Sequence, residues 1–271
     1  MKHLSSTSWL LSALVLLCGC GGEGRLSVPP SVPPSGPPPQ GLNIAGNWQI
    51  NTTSMAGMPP LTIAGSINQS GSSASGAVHI DGSNCFDPLT TVGLTGTLTG
   101  SNISLASASV AGQVTTLTGT ITNNALTGTH TINGGCANGD HGNVTGSKIP
   151  LITGLLSGTF TTSGGGTFDV VADVAQSSSA SSQGSFGITG TATFRTSCFS
   201  SGAITSGTFP SGSFIIGTSV ALVIETDNGT VTFLGTANQN KGEISGDYTV
   251  FGGTCDQTGT AVLVASSPWD Y

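Results

Sequence analysis

An all-β chain built from two tandem, duplicated antiparallel modules is the fold class that three observations predict. The first is composition. Gly (42), Ser (37) and Thr (38) make up 117 of the 271 residues, while only 17 residues are charged and 6% are aromatic. A helical bundle or coiled coil would need the Ala, Glu, Lys, Leu and Arg that this chain lacks. With 36% apolar residues and so little charge, it is not disordered throughout either. The second is period-two alternation of apolar and Thr/Ser residues, in runs separated by Gly, Asn and Ser turns. The third is that a series of short blocks recurs once, in the same order.

The N-terminus reads as an address. Lys2 supplies a short positive end and residues 9–17 an apolar stretch, with Leu17-Cys18-Gly19-Cys20 as a small-residue exit. The apolar run is too short for a stable bilayer span. With Leu17 three residues before Cys20 and Gly19 directly before it, this segment resembles a bacterial lipoprotein precursor. That resemblance implies a signal peptide at 1–19 and a lipidated (palmitate-bearing) Cys20 as residue one of the mature chain. Cys18 departs from the usual pattern at the middle position. Residues 20–41 follow as lipid-attachment site and tether: seven of the thirteen prolines fall between Pro29 and Pro39. Such a run favours polyproline II, holding the body off a membrane by about 3 Å per residue. Gly21 after Cys20 gives no inner-membrane retention signal, so the resemblance favours the outer membrane of the cell envelope. Loss of Lys2 takes the net charge from −7 to −8. The remaining cations, Arg25, Lys148, Arg195 and Lys241, are scattered singly, which excludes nucleic acid as a partner.

Residues 42–150 and 151–271 form the two expected β-modules. Gly46-Asn47-Trp48 recurs as Gly158-Thr159-Phe160, Gln69 as Gln176, Cys85-Phe86 as Cys198-Phe199 and Gly96-Thr97-Leu98 as Gly207-Thr208-Phe209. The best block runs from Leu126 to Cys136 and again from Ile244 to Cys255, aligning His130 with Tyr248. Offsets stay between 107 and 119. In Leu94-Thr95-Gly96-Thr97-Leu98-Thr99 the Thr residues take one face, where the β-branch fits the pleat and the hydroxyl meets water. Asn123-Asn124 and Asp227-Asn228-Gly229 signal hairpins. About eight strands per half fits a small up-and-down barrel, with a β-sandwich as the alternative. A membrane-spanning barrel would need an apolar outer face and aromatic girdles, and the Thr/Ser face offers neither. The Gly-x-Trp at 46–48, opening a meander, resembles the first strand of lipocalin- and avidin-like barrels. That resemblance implies that Trp48, with Phe160 as its repeat, plugs a barrel end. Such barrels commonly hold a small ligand, though none of those families' ligand-contacting residues carries over. By alternation and repeat, Trp48, His130, Phe160 and Tyr248 are the residues that would line such a cavity, with inward Gly128, Gly235 and Gly246 leaving a hollow; packed core is the alternative, above all for His130.

Four cysteines remain after Cys20. The repeat selects the disulfides Cys85–Cys136 and Cys198–Cys255, since each half then closes its own loop in an oxidising compartment. No C-x-x-C supports zinc. His79 and Asp81, two apart, read as a solvated strand face. Residues 138–143 have one carboxylate, too few for a tight calcium loop. Asp140-His141 lacks any strained Gly-x-Ser-x-Gly nucleophile turn, and the Gly-rich run 154–166 lacks the Lys-Ser/Thr of a phosphate loop. No metal, cofactor or catalytic set is expected. The expected function is a non-catalytic, lipid-anchored envelope module that binds or builds. Its partners would be the membrane through the lipid and an unidentified protein, glycan or small apolar ligand. Second comes a carrier holding a small apolar ligand in a barrel, and last an envelope hydrolase.

Overall fold

A computed structural model describes residues 42–269. The signal-like segment, Cys20 and the tether lie outside the described residues. Two closed eight-stave antiparallel barrels follow one another, and the described residues contain no helix. This decides between barrel and sandwich, and the halves are alike in plan.

In the first barrel each strand pairs with the next: β1 (Gly46–Ser54), β2 (Thr62–Ser70), β3 (Ser73–Asp81), β4 (Val92–Thr99), β5 (Asn102–Ser107), β6 (Val114–Thr122), β7 (Ala125–Asn133) and β8 (His141–Ile149). β8 returns to β1, with Ile50 opposite Gly146 and Trp48 opposite Lys148, so no edge is left unpaired. The second barrel uses β9 (Thr153–Thr162), β10 (Thr167–Gln176), β11 (Phe186–Phe194), β12 (Ser201–Ile204), β13 (Phe214–Ile216), β14 (Ser219–Thr226), β15 (Gly229–Asn238), β16 (Glu243–Phe251) and β17 (Gln257–Ala265). β17 pairs back to β9. Nine strands make eight staves because β12 and β13 both lie between β11 and β14. They are two halves of one stave, interrupted by residues 205–213. The block Gly207-Thr208-Phe209, aligned in sequence with a strand of the first half, therefore sits in an excursion instead. Its Ser/Thr/Gly composition does not distinguish it from a strand.

Alternation builds these strands. In β10 every second residue is buried, from Phe168 through Val170, Ala172 and Val174 to Gln176. The inward rows of each barrel meet in one apolar core, carried by Trp48, Ile50, Ile63 and Leu105 in the first and by Phe160, Phe233, Ile188 and Tyr248 in the second. Asn123 and Asn124, both with positive φ (51° and 64°), make the β6–β7 turn, a conformation that Asn tolerates and that suits a two-residue hairpin. The Gly-rich run 154–166 is strand β9 and the turn into β10.

The duplication is structural in detail. Cys85–Cys136 and Cys198–Cys255 form as the repeat selected, each with Cα atoms 5.7 Å apart and each tying the loop after a barrel's third stave to the loop before its last. Gln69 Oε1 accepts from the amide of Ile44 at 2.8 Å. Gln176 Oε1 accepts from the amide of Ile152 at 2.9 Å. The aligned glutamines thus secure the entry segment of each barrel in the same way.

Candidate functional site

Four inward residues carry the sequence reading of a cavity. The structure packs all four as core. Trp48 closes on its own entry segment, its indole Nε1 donating to Ile44 O at 2.7 Å. Phe160 lies 4.6 Å from Tyr248 and 5.4 Å from Phe168, ring centroid to centroid. Phe194 and Phe199 extend this cluster. The inward glycines leave no hollow either. Gly119 and Gly128 face each other across β6 and β7, as do Gly235 and Gly246 across β15 and β16. A Cβ on Gly128 would come within 2.0 Å of Thr118 O, and one on Gly246 within 2.1 Å of Leu234 O. These glycines are where neighbouring backbones converge as the staves bend, a use of glycine common in tightly coiled sheets.

His130, the fourth of these residues, has a partner that sequence neighbourhood did not suggest. Its Nε2 stands 3.3 Å from Asp140 Oδ2, both side chains being buried. Asp140 Oδ1 accepts from Ser54 Oγ at 2.5 Å, and Ser54 Oγ in turn accepts from the amides of Ala56 and Met58. The adjacent His141 is exposed and bonds Gly139 O instead. Ser, His and Asp are all present, but the carboxylate stands between the hydroxyl and the imidazole. A nucleophile needs the imidazole on its own oxygen with the carboxylate behind, so this cluster cannot deprotonate Ser54 through His130. It locks the β7–β8 loop, which also carries Cys136, onto the end of β1. The only trace in the sequence is a spacing of ten residues across a loop.

His79 also departs from its expected setting. Expected on a solvated face beside Asp81, it is buried while Asp81 is exposed. It does point outward from the first barrel, but the second barrel covers it. Its Nδ1 lies 3.0 Å from Pro88 O and its Nε2 3.0 Å from Gln183 O of the second barrel, and the ring rests 4.4 Å from that of Phe209. Around it the outward faces of β1 to β3 meet the interrupted stave. Asn47 donates through Nδ2 to Gly217 O (2.8 Å) and accepts at Oδ1 from Gly217 N (2.7 Å). Gln49 Oε1 accepts from Thr218 N at 3.1 Å. Phe214, Ile216 and Ala221 form a small apolar patch against Ala64 and Phe209. The fit is close enough that a Cβ on Gly184 would lie 2.0 Å from Ala77 O.

Two clefts open along this seam. One, of about 230 Å³, runs past His79, Asp81 and Phe209. The other, of about 280 Å³, is lined by the start of β1, the end of β8, the connection between the barrels and the second barrel's Ser178 and Phe186. Lys148 lies in it with its stem over Gly46. Burial lowers the Lys148 pKa below its ordinary value. Among the described residues no group of three or more His, Cys, Asp or Glu is arranged to hold a metal.

No family model matches the chain, and no curated protein matches it. Among solved structures it is similar to an agglutinin from Burkholderia oklahomensis (12% identity over 83% of this chain and 98% of that one, TM-score 0.19). It is also similar to a kievitone hydratase from Nectria haematococca (10% identity over 84% and 91%, TM-score 0.24). At those TM-scores neither likeness carries an argument about this chain.

Proposed function

We propose that this chain is a lipid-anchored protein of the bacterial cell envelope, held at the outer membrane through Cys20, whose two barrels bind or build without catalysing a reaction. The observation that carries the non-carrier half of this reading is the filling of both barrels by Trp48, Phe160, Tyr248 and their neighbours. A carrier of a small apolar ligand needs an interior space, and ligand pockets usually exceed about 300 Å³. The buried Ser54–Asp140–His130 order, wrong for acyl transfer, argues against a hydrolase built on that cluster. The lipid half rests on the lipoprotein-like segment ending at Cys20 and on the Pro-rich tether behind it.

Each half has its own measurement. Full-length chain produced in a bacterium that processes lipoproteins should incorporate labelled palmitate, and Cys20→Ser should abolish the label and release the chain from membranes. Equal labelling of wild type and variant would end the anchor proposal. Native mass spectrometry of the detergent-released chain should give the lipidated mass with two disulfides and nothing more. A reproducible apolar adduct, lost on gentle activation, would replace this reading with the carrier.

A further inference from the structure

From the cleft beside Lys148 we infer a binding site for an acidic monosaccharide of the hexuronate type, either free or at the end of a glycan. The inference rests on the binding half of the proposed role and is independent of the lipid.

Four observations select this ligand class. The first is place and size: the cleft lies between the two barrels, where small-molecule sites concentrate, and its 280 Å³, just under the usual lower bound of about 300 Å³, limits the occupant to a single sugar ring. The second is charge. Lys148 has no carboxylate within ion-pairing distance among the described residues, and its ammonium is partly stripped of water, which is why its pKa falls. A ligand anion would offset that desolvation. The site brings one point charge and no Arg fork, in a chain whose net charge is −7. One positive charge is matched by a single carboxylate, and the negative net charge opposes a phosphate dianion more than a monoanion.

The third is hydrogen bonding. Asn68 and Ser178 line the cleft, and neither side chain has a hydrogen-bond partner among the described residues, while Asn43 has committed only its Oδ1, to the Ala45 amide. Amides and a hydroxyl, each able to donate and to accept, suit ring hydroxyls. The fourth is the wall. Leu151, exposed and backed by the buried Ile149 and Phe186, gives the cleft an apolar side on which the C–H face of a sugar ring can rest. Asn47, also at the cleft, is held by Gly217 through one donated and one accepted bond, so a ligand seated here would lie directly against the contact joining the barrels.

The test uses the full chain in detergent, with binding followed by saturation-transfer NMR and calorimetry. Glucuronate should bind saturably and raise the thermal midpoint, whereas glucose and acetate should each bind at least about tenfold more weakly. Lys148→Met, which keeps the stem, should lose glucuronate affinity by at least about tenfold. Lys148→Arg should retain it within about threefold. Glucuronate should also slow acylation of Lys148, read by peptide mass spectrometry, which checks the site without any variant. Binding of a glucuronate-terminated disaccharide assigns the source to a glycan end, and binding of the monosaccharide alone to the free sugar. No saturation by about 10 mM of either ligand, equal binding of glucose, or unchanged affinity in Lys148→Met overturns the site. None of those failures touches the palmitate result, so the two proposals fail separately.

Discussion

A single hydroxyl separates Tyr248 from phenylalanine, and the second barrel gives it nothing to bond. The ring is core, tilted against Phe160, while the phenolic oxygen is buried without a partner among the described residues. Leaving a buried polar group unpaired costs about 1–3 kcal/mol. Tyr248→Phe should therefore hold or raise stability, by about 1 kcal/mol. It should also change the alkaline limb. Burial raises the Tyr248 pKa above its ordinary 10.0, so the unfolded chain releases this proton first as pH rises. Stability is full below pH 10.0 and declines as pH climbs from there through the folded value. Urea midpoints measured across that range should fall more steeply for wild type than for Tyr248→Phe, and parallel curves would contradict the assignment. The alignment of Tyr248 with His130 was readable because both stand at the same phase of the same alternating block. Asp140 as the partner of His130 was not, since only the folded β7–β8 loop brings them together.

At the scale of the strand, the sequence's commonest residue has a specific job. Gly128 faces Gly119, and a methyl group at Gly128 would strike the Thr118 carbonyl, which the sheet ladder holds in place. Gly128→Ala should cost at least about 1–3 kcal/mol, the range for overpacking a rigid site. Gly93, on the outward face of β4 with open space beside it, supplies the control: Gly93→Ala should stay within about 0.5 kcal/mol. Chemical denaturation of the two variants decides the matter, and equal stabilities would contradict the convergence argument. Alternation and turn residues made strands, hairpins and the inward faces legible, and the repeated cysteines made the disulfide pairing legible. The meaning of the inward glycines was not, because absent side chains look the same in sequence whether they leave room for a ligand or for a neighbouring strand. The interrupted stave was hidden for a similar reason: Gly207-Thr208-Phe209 matches Gly96-Thr97-Leu98 of β4 in residue type although it lies outside any strand.

For the molecule as a whole, the question is whether two barrels unfold as one. Asn47 holds both backbone groups of Gly217 in a buried setting. Asn47→Ala leaves that amide and carbonyl without their partners, a loss of about 2–3 kcal/mol. If the seam couples the barrels, calorimetry of the variant should resolve two transitions where wild type gives one. A single unshifted transition would mean that the barrels are joined by the chain alone. The seam was invisible in sequence because it is built from outward positions such as Asn47, Gln49 and His79, which by pattern belong to a wet face.

The interrupted stave also bears on how far this architecture could multiply. An array of repeats grows only if every unit carries both a plug and a socket. Here the first barrel supplies the socket, and its own fourth stave, β4, runs unbroken with no excursion to offer a further neighbour. The second barrel supplies the plug, but where Asn47 and Gln49 stand in the first barrel it has Thr159 and Thr161, whose short side chains lack the amide that grips Gly217. Each barrel carries one half of the joint and not the other, so a further copy of either barrel could not dock onto this pair through the same contact.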